Sequence, residues 1–223
     1  MNGKLVLLAG ATSASGLAAA RVLAGDGARV VAVGRHRAKL AALADAVPDA
    51  RLEVCDLADQ AAVGALAERI HATDGRVDGV LHLVGGWRGG GGLAGQTDAD
   101  YRELESSFTA LRHVSRAFDD DLRASDAGRL AVVSSTAVAR PLAGGANYAA
   151  VKAATEAWAR AVAQGFAKAA RDAKQPLRAA SVVFRVKSLA GLEDALAQRF
   201  AGLFVSQADD INDTVVELTG PSL

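Results

Sequence analysis

The sequence predicts a doubly wound α/β fold, a parallel sheet of about seven strands with helices on both faces. Three observations lead there. Short apolar, β-branched runs alternate with longer Ala-rich segments along the 223 residues. The early runs LVLLA and VVAV are continuously apolar, as strands covered on both faces must be, and such strands are parallel. A glycine-containing turn joins the first strand to the first helix.

In chain order, strands are expected at 4–9, 29–33, 51–54, 78–83, 129–134, 177–184 and 214–218. Between them, helical patterns run over 15–25, 36–47, 59–72, 98–124, 147–173 and 191–205. The alternation implies right-handed crossovers. No internal repeat or Pro/Ser-rich linker interrupts it, so residues 1–223 are expected to form a single domain. The one break in composition is GGWRGGGG at 85–92, directly after the fourth strand. Ligands of this architecture bind beyond the carboxyl ends of the strands, which places that loop on the functional edge.

Composition narrows the function classes. The 25 basic and 25 acidic side chains cancel, which argues against a nucleic-acid or anionic-membrane footprint. About half the residues are apolar, yet no run approaches the ~18 needed to span a bilayer. The N-terminus lacks the pattern of a signal peptide, and the single Cys55 cannot form an internal disulfide. A soluble, cytoplasmic protein is therefore expected. His36, His71, His82 and His113 are scattered without metal-ligand spacing, so no metal is indicated. Cys55 reads as a small core residue, and Asp119-Asp120-Asp121 as a solvated helix end or turn.

The turn Gly10-Ala11-Thr12-Ser13-Ala14-Ser15-Gly16-Leu17 can present backbone N–H groups and a helix N-terminus to a pyrophosphate. Gly10 permits the tight bend, and Gly16 lets the helix pack closely on the sheet. The second strand ends in Gly34-Arg35-His36-Arg37. An acidic residue there would favour the ribose hydroxyls of NAD(H), whereas Arg35 favours the 2′-phosphate of NADP(H). The alternative is a solvated helix start, although cations there oppose the helix dipole. Tyr148 and Lys152 lie four positions apart, on one helix face. A free tyrosine keeps its proton to pH ~10, and a fixed cation nearby stabilises the phenolate. Taken alone, Tyr-x-x-x-Lys reads first as an ordinary amphipathic helix. Ser135, at the end of its strand, can donate to a substrate oxygen.

Together these residues resemble the short-chain dehydrogenase/reductase family, whose fold is Rossmann-like. The resemblance spans nearly the whole chain, and its most specific part is Ser135, Tyr148 and Lys152 at separations of thirteen and four. It implies that Tyr148 is the general acid/base, that Lys152 holds the nicotinamide ribose and supports the phenolate, and that Ser135 polarises a carbonyl. By the same resemblance Asp56, with Leu57, contacts the adenine, and Gly10, Thr12, Ser13, Ser15, Gly16, Leu17, Arg35 and Gly85 complete a cofactor site with NADP(H) preferred over NAD(H). The implied substrate is a small-molecule carbonyl or alcohol. The implied assembly is a homodimer or homotetramer through the helices at 101–124 and 147–173.

Four departures stand out. Ala14 replaces a glycine, and Ala9 replaces a Thr. His82-Leu83-Val84-Gly85 replaces Asn-Asn-Ala-Gly, losing side chains that tie strands together. Ser107, with Phe108 as the off-by-one alternative, stands where an Asn supports a proton relay. Phe184-Arg185 replaces the Pro-Gly expected after the sixth strand. GGWRGG is also similar to a segment of the dihydropteridine reductases. Trp87 would then stack on a planar substrate with Arg88 in support, or else simply anchor its loop. The departures also leave room for a weakly catalytic, cofactor-binding regulatory protein.

Overall fold

The computed structural model describes residues 1–219, so the last four residues of the expected 1–223 domain lie outside the described residues. Seven strands, β1 (Leu5–Ala9), β2 (Arg29–Gly34), β3 (Arg51–Val54), β4 (Gly79–His82), β5 (Arg129–Ser135), β6 (Ala180–Val186) and β7 (Thr214–Leu218), form one sheet. Their order is β3-β2-β1-β4-β5-β6-β7, with every neighbouring pair parallel. The helices are α1 (Ala14–Gly25), α2 (Arg37–Ala46), α3 (Gln60–Thr73), α4 (Asp98–Ala117), α5 (Asp119–Ala124), α6 (Ala146–Asp172), α7 (Glu193–Gly202) and α8 (Ala208–Ile211).

Continuous hydrophobicity in the early strands has its expected cause. Every residue of β1 is fully buried, and the pleat sends alternate side chains into two different cores. Val6 and Leu8 join Val30 and Ala32 beneath α1, α2 and α7. Leu5, Leu7 and Ala9 join Val31 and Val33 beneath α3, α4 and α6.

Three expectations change. The helix at 98–124 is two helices, broken at Phe118 (φ −112°, ψ 11°), whose ring is fully buried in the second core. A new helix then starts with Asp119, Asp120 and Asp121 in its first turn, where the dipole favours anions. The acidic run is also not wholly solvated. Asp121 is buried and accepts from the Val77 amide at 3.0 Å and pairs with His71 Nε2 at 2.7 Å, tying α5 to α3 and the start of β4. Tertiary partners for a carboxylate leave no local sequence signal.

The sixth strand likewise runs two residues beyond its expected end. Phe184 and Arg185 therefore lie inside β6 rather than after it. Phe184 is a core side chain. Arg185 forms a close pair with Glu156 of α6.

Candidate active site

Winding reverses between β3, at one edge, and β4, on the far side of β1. Ligand crevices form at such switch points. Here an open cleft of about 1230 Å³ lies beyond the strand ends, bounded by the turn at Ser13–Ser15, the loop after β4, the end of β5, the start of α6 and the segment after β6. A second cavity of about 210 Å³ shares Ser13, Leu83, Val84 and Gly85 with it, so the two form one trough.

The turn is held by backbone geometry. Gly10 has φ +90°, and a Cβ on it would come within 2.8 Å of the Val84 amide nitrogen. Gly16 is packed against the turn itself, since a Cβ there would meet the Ala11 carbonyl oxygen at 2.2 Å. Ser13 caps α1 by accepting from the Gly16 amide at 3.2 Å. Ser13 and Ser15 line the main cleft, and Gly10, Thr12 and Ser13 the smaller cavity, beside Arg35, Asp56, Leu57 and Gly85. Lys39, one turn into α2, lines the same cavity as Arg35, a cation that the motif reading did not single out. Cys55 also lines it; burial pushes its thiol up, as suits an inert residue. Gly16 and Leu17 are not among the lining residues, and the Leu17 amide donates to the Ser13 carbonyl.

At the other end, Ser135, Tyr148 and Lys152 all line the main cleft. Ser135 is buried at the end of β5, and its Oγ accepts from the Ala137 amide at 3.1 Å. Its hydroxyl proton is left for a substrate oxygen. One turn of α6 separates Tyr148 from Lys152 and sets the ammonium 5.8 Å from the phenol ring centroid. Lys152 Nζ donates to the Val133 carbonyl at 2.8 Å, which fixes α6 against β5. Burial pushes the Lys152 ammonium down to about 8.

Three features around this group were missed or misassigned. Ser107 donates its hydroxyl to the Leu104 carbonyl at 2.6 Å within α4, so its side chain does not line the cleft; Phe108 instead packs edge-on against Trp158. The Ser107 carbonyl takes the ring nitrogen of His82 at 3.1 Å. His82 therefore ties β4 to α4, a contact different from the strand-to-strand ties that the altered motif was expected to lose. Burial, with the Lys152 charge nearby, pushes His82 down to about 3, which keeps it neutral.

The second feature is Glu156, one turn beyond Lys152. It accepts from Ser134 Oγ at 2.7 Å and from Arg185 at 2.7 and 3.1 Å. Burial raises its carboxyl, but these hydrogen bonds outweigh burial and hold it below the usual range. The group ties α6, β5 and β6 together next to Ser135.

The third is Gln96. Its amide reaches the carbonyls of Gly90, Gly92 and Gly144, and its oxygen accepts from the Asn147 amide. The loop that carries Trp87 is thereby clamped to the start of α6. Trp87 lines the cleft but is 63% exposed, so it is not a packing anchor, and Arg88 turns toward Asp100 at 3.9 Å. Among the described residues no group of His, Cys, Asp or Glu could hold a metal, and no helix is long and apolar enough to cross a membrane.

A glycine turn and helix N-terminus open one end of the trough, and a Ser, Tyr and Lys line the other. This defines the class of dinucleotide-dependent oxidoreductases. Comparisons with known proteins agree. The family model "short chain dehydrogenase" matches residues 4–170. A protein of Streptomyces virginiae described as a ketoacyl reductase of the monensin polyketide synthase is 32% identical over 158 residues, 68% of this chain; the match spans 60% of that protein's length. A metagenomic short-chain oxidoreductase solved in complex with NADP is 27% identical, with TM-score 0.83 and 98% of each chain covered. NAD⁺-bound xylitol dehydrogenase shares the fold at TM-score 0.85 and 17% identity, again over 98% of each chain. The chain belongs to the short-chain dehydrogenase family, oxidoreductases acting on alcohol and carbonyl groups.

Proposed function

We propose that this chain is an NADP(H)-dependent oxidoreductase that interconverts a small-molecule carbonyl and its alcohol. The observation that carries the reading is the convergence of Ser135, Tyr148 and Lys152 on one cleft continuous with the cavity of Arg35. The trough fits an extended dinucleotide. Gly10 and the N-terminus of α1 would hold the pyrophosphate, Arg35 and Lys39 a 2′-phosphate, and Asp56 with Leu57 the adenine side. When bound, the nicotinamide supplies or accepts the hydride.

In the reducing direction Ser135 donates a hydrogen bond to the carbonyl oxygen, which polarises it. Tyr148 delivers the proton as the alkoxide forms, and Lys152 stabilises the resulting phenolate. The Val133 carbonyl keeps Lys152 in place. The ketoacyl reductase relative and the NADP-bound neighbour support the same reading. Residues 1–223 would act as one domain, paired through α4 and α6.

The test is a panel of oxoacyl, ketone and pteridine substrates with NADPH, followed at the nicotinamide band. Tyr148→Phe is expected to lose turnover by about 10³-fold while binding NADPH within twofold of the parent. Unchanged turnover would remove Tyr148 from the site. Trp87, exposed at the cleft wall, favours a second reading in which the substrate is a planar pteridine-like ring; faster turnover on the pteridine than on the ketones supports it.

A further inference from the structure

Three cations line the main cleft, Arg140, Lys152 and Lys187, and no aspartate or glutamate does. A cleft with one sign of charge concentrates ligands of the other. Lys152 is committed beside Tyr148, bonded to the Val133 carbonyl. Arg140 is different. It belongs to the segment that runs from Ser135 to Tyr148, is exposed, and among the described residues makes no ion pair or hydrogen bond. Two nearby arginines are matched, Arg88 with Asp100 and Arg185 with Glu156 and Glu217, whereas Lys187 is, like Arg140, exposed and without an ion pair or hydrogen bond among the described residues. Around Arg140 the wall is apolar, with Trp87, Leu189 and Leu142, the last 73% exposed.

The cofactor's own charges have other partners. The trough offers its pyrophosphate the α1 N-terminus and its 2′-phosphate Arg35 and Lys39 in the smaller cavity. That leaves Arg140 and Lys187 in the main cleft, and Arg140 is the one on the segment that joins Ser135 to Tyr148. Building on the proposed oxidoreductase reading, we infer that the substrate is an anionic carbonyl compound, with an apolar body between its carbonyl and an oxoanion, and that Arg140 recognises the oxoanion. The planar guanidinium suits a carboxylate or a phosphate, and the exposed apolar wall suits the connecting segment.

The test compares three matched compounds, a medium-chain oxo carboxylate, its methyl ester and the corresponding oxo phosphate. KM is measured with NADPH, and in parallel Kd from quenching of tryptophan fluorescence, with the signal of Trp87→Phe subtracted. Both constants are expected to be about tenfold lower for the preferred anion than for the ester, and that gap closes in Arg140→Ala and largely survives in Arg140→Lys. Which anion binds tighter separates carboxylate from phosphate as the recognised group. Equal binding of ester and anions by the parent overturns the inference. So does loss of the preference in Lys187→Ala rather than in Arg140→Ala. Anion-selective binding without turnover would uphold the anion site and sink the oxidoreductase reading, whereas turnover without charge preference would do the reverse.

Discussion

The cavity around Arg35 and the cleft around Tyr148 share a wall at Leu83–Gly85, yet they are built from different material. The first is shaped by backbone: a left-handed Gly10, a Gly16 with no room for a side chain, and the first turn of α1. Its tolerance is a matter of steric clearance over a few consecutive residues. The second is assembled from side chains on segments far apart, at 85–97, 133–148 and 186–189, held by Lys152 to Val133, Glu156 to Ser134 and Arg185, and Gln96 to Gly144. The difference predicts that cofactor affinity and turnover can be damaged separately.

Lys152→Met removes phenolate support and the implied hold on the nicotinamide ribose, while leaving the Arg35 cavity untouched. Turnover is expected to drop by at least 10²-fold. In the parent, kcat/KM for reduction should fall as pH rises through about 8, where the Lys152 ammonium discharges, and the variant should lack that limb. The same shift affects stability. The folded value lies below the ordinary 10.5, so the cost of burying the ammonium is fully present below pH 8 and fades toward 10.5. Urea unfolding should therefore show the stability difference between Lys152→Met and parent moving in the parent's favour as pH is raised from 7 to 10.

Next is Glu156→Gln, which leaves the Arg185 cation only the exposed Glu217 carboxylate at 3.9 Å. A loss of about 3 kcal/mol in unfolding free energy is expected, and turnover should fall more than NADPH affinity if the tie positions Ser135. On the opposite side of the comparison, Arg35→Ala should weaken NADPH about tenfold and NADH hardly at all, with kcat preserved at saturation. Equal losses for both cofactors would take Arg35 out of the 2′-phosphate site. The smallest effect is assigned to Gln96→Ala. It should cost about 1 kcal/mol or less and raise KM a few-fold, with faster amide exchange in residues 86–97 as the direct readout.

Much of this molecule is legible without coordinates because its determinants are local. The seven strands and most of the helices appear where apolar periodicity puts them, with ends shifted by a few residues and the segment 98–124 split in two, since a two-faced sheet demands continuous hydrophobic runs. The glycine turn is equally local. Ser135, Tyr148 and Lys152 were singled out by a spacing that resembles a known family, and one strand, one loop and one helix turn bring them to a single cleft.

Other features depended on partners distant in sequence. Asp119–Asp121 looked like a solvated run, and only the fold brings His71 and the Val77 amide to Asp121. Phe184-Arg185 looked like a damaged pocket closure, and only the pairing of β6 with β5 and β7 carries the strand through it. His82, Glu156 and Gln96 gave no motif, because a buried polar group is chosen by what faces it.

The sequence by itself thus determined the sheet, the glycine turn and the spacing of Ser135, Tyr148 and Lys152, all properties of hydrophobic periodicity and short-range geometry. Tertiary structure decided the shell around them. Which polar groups are paired, and which cations of the cleft, Arg140 and Lys187, are not, follows from contacts between segments tens of residues apart. The cost of leaving a buried polar group unpaired selects those contacts, and no local pattern encodes them.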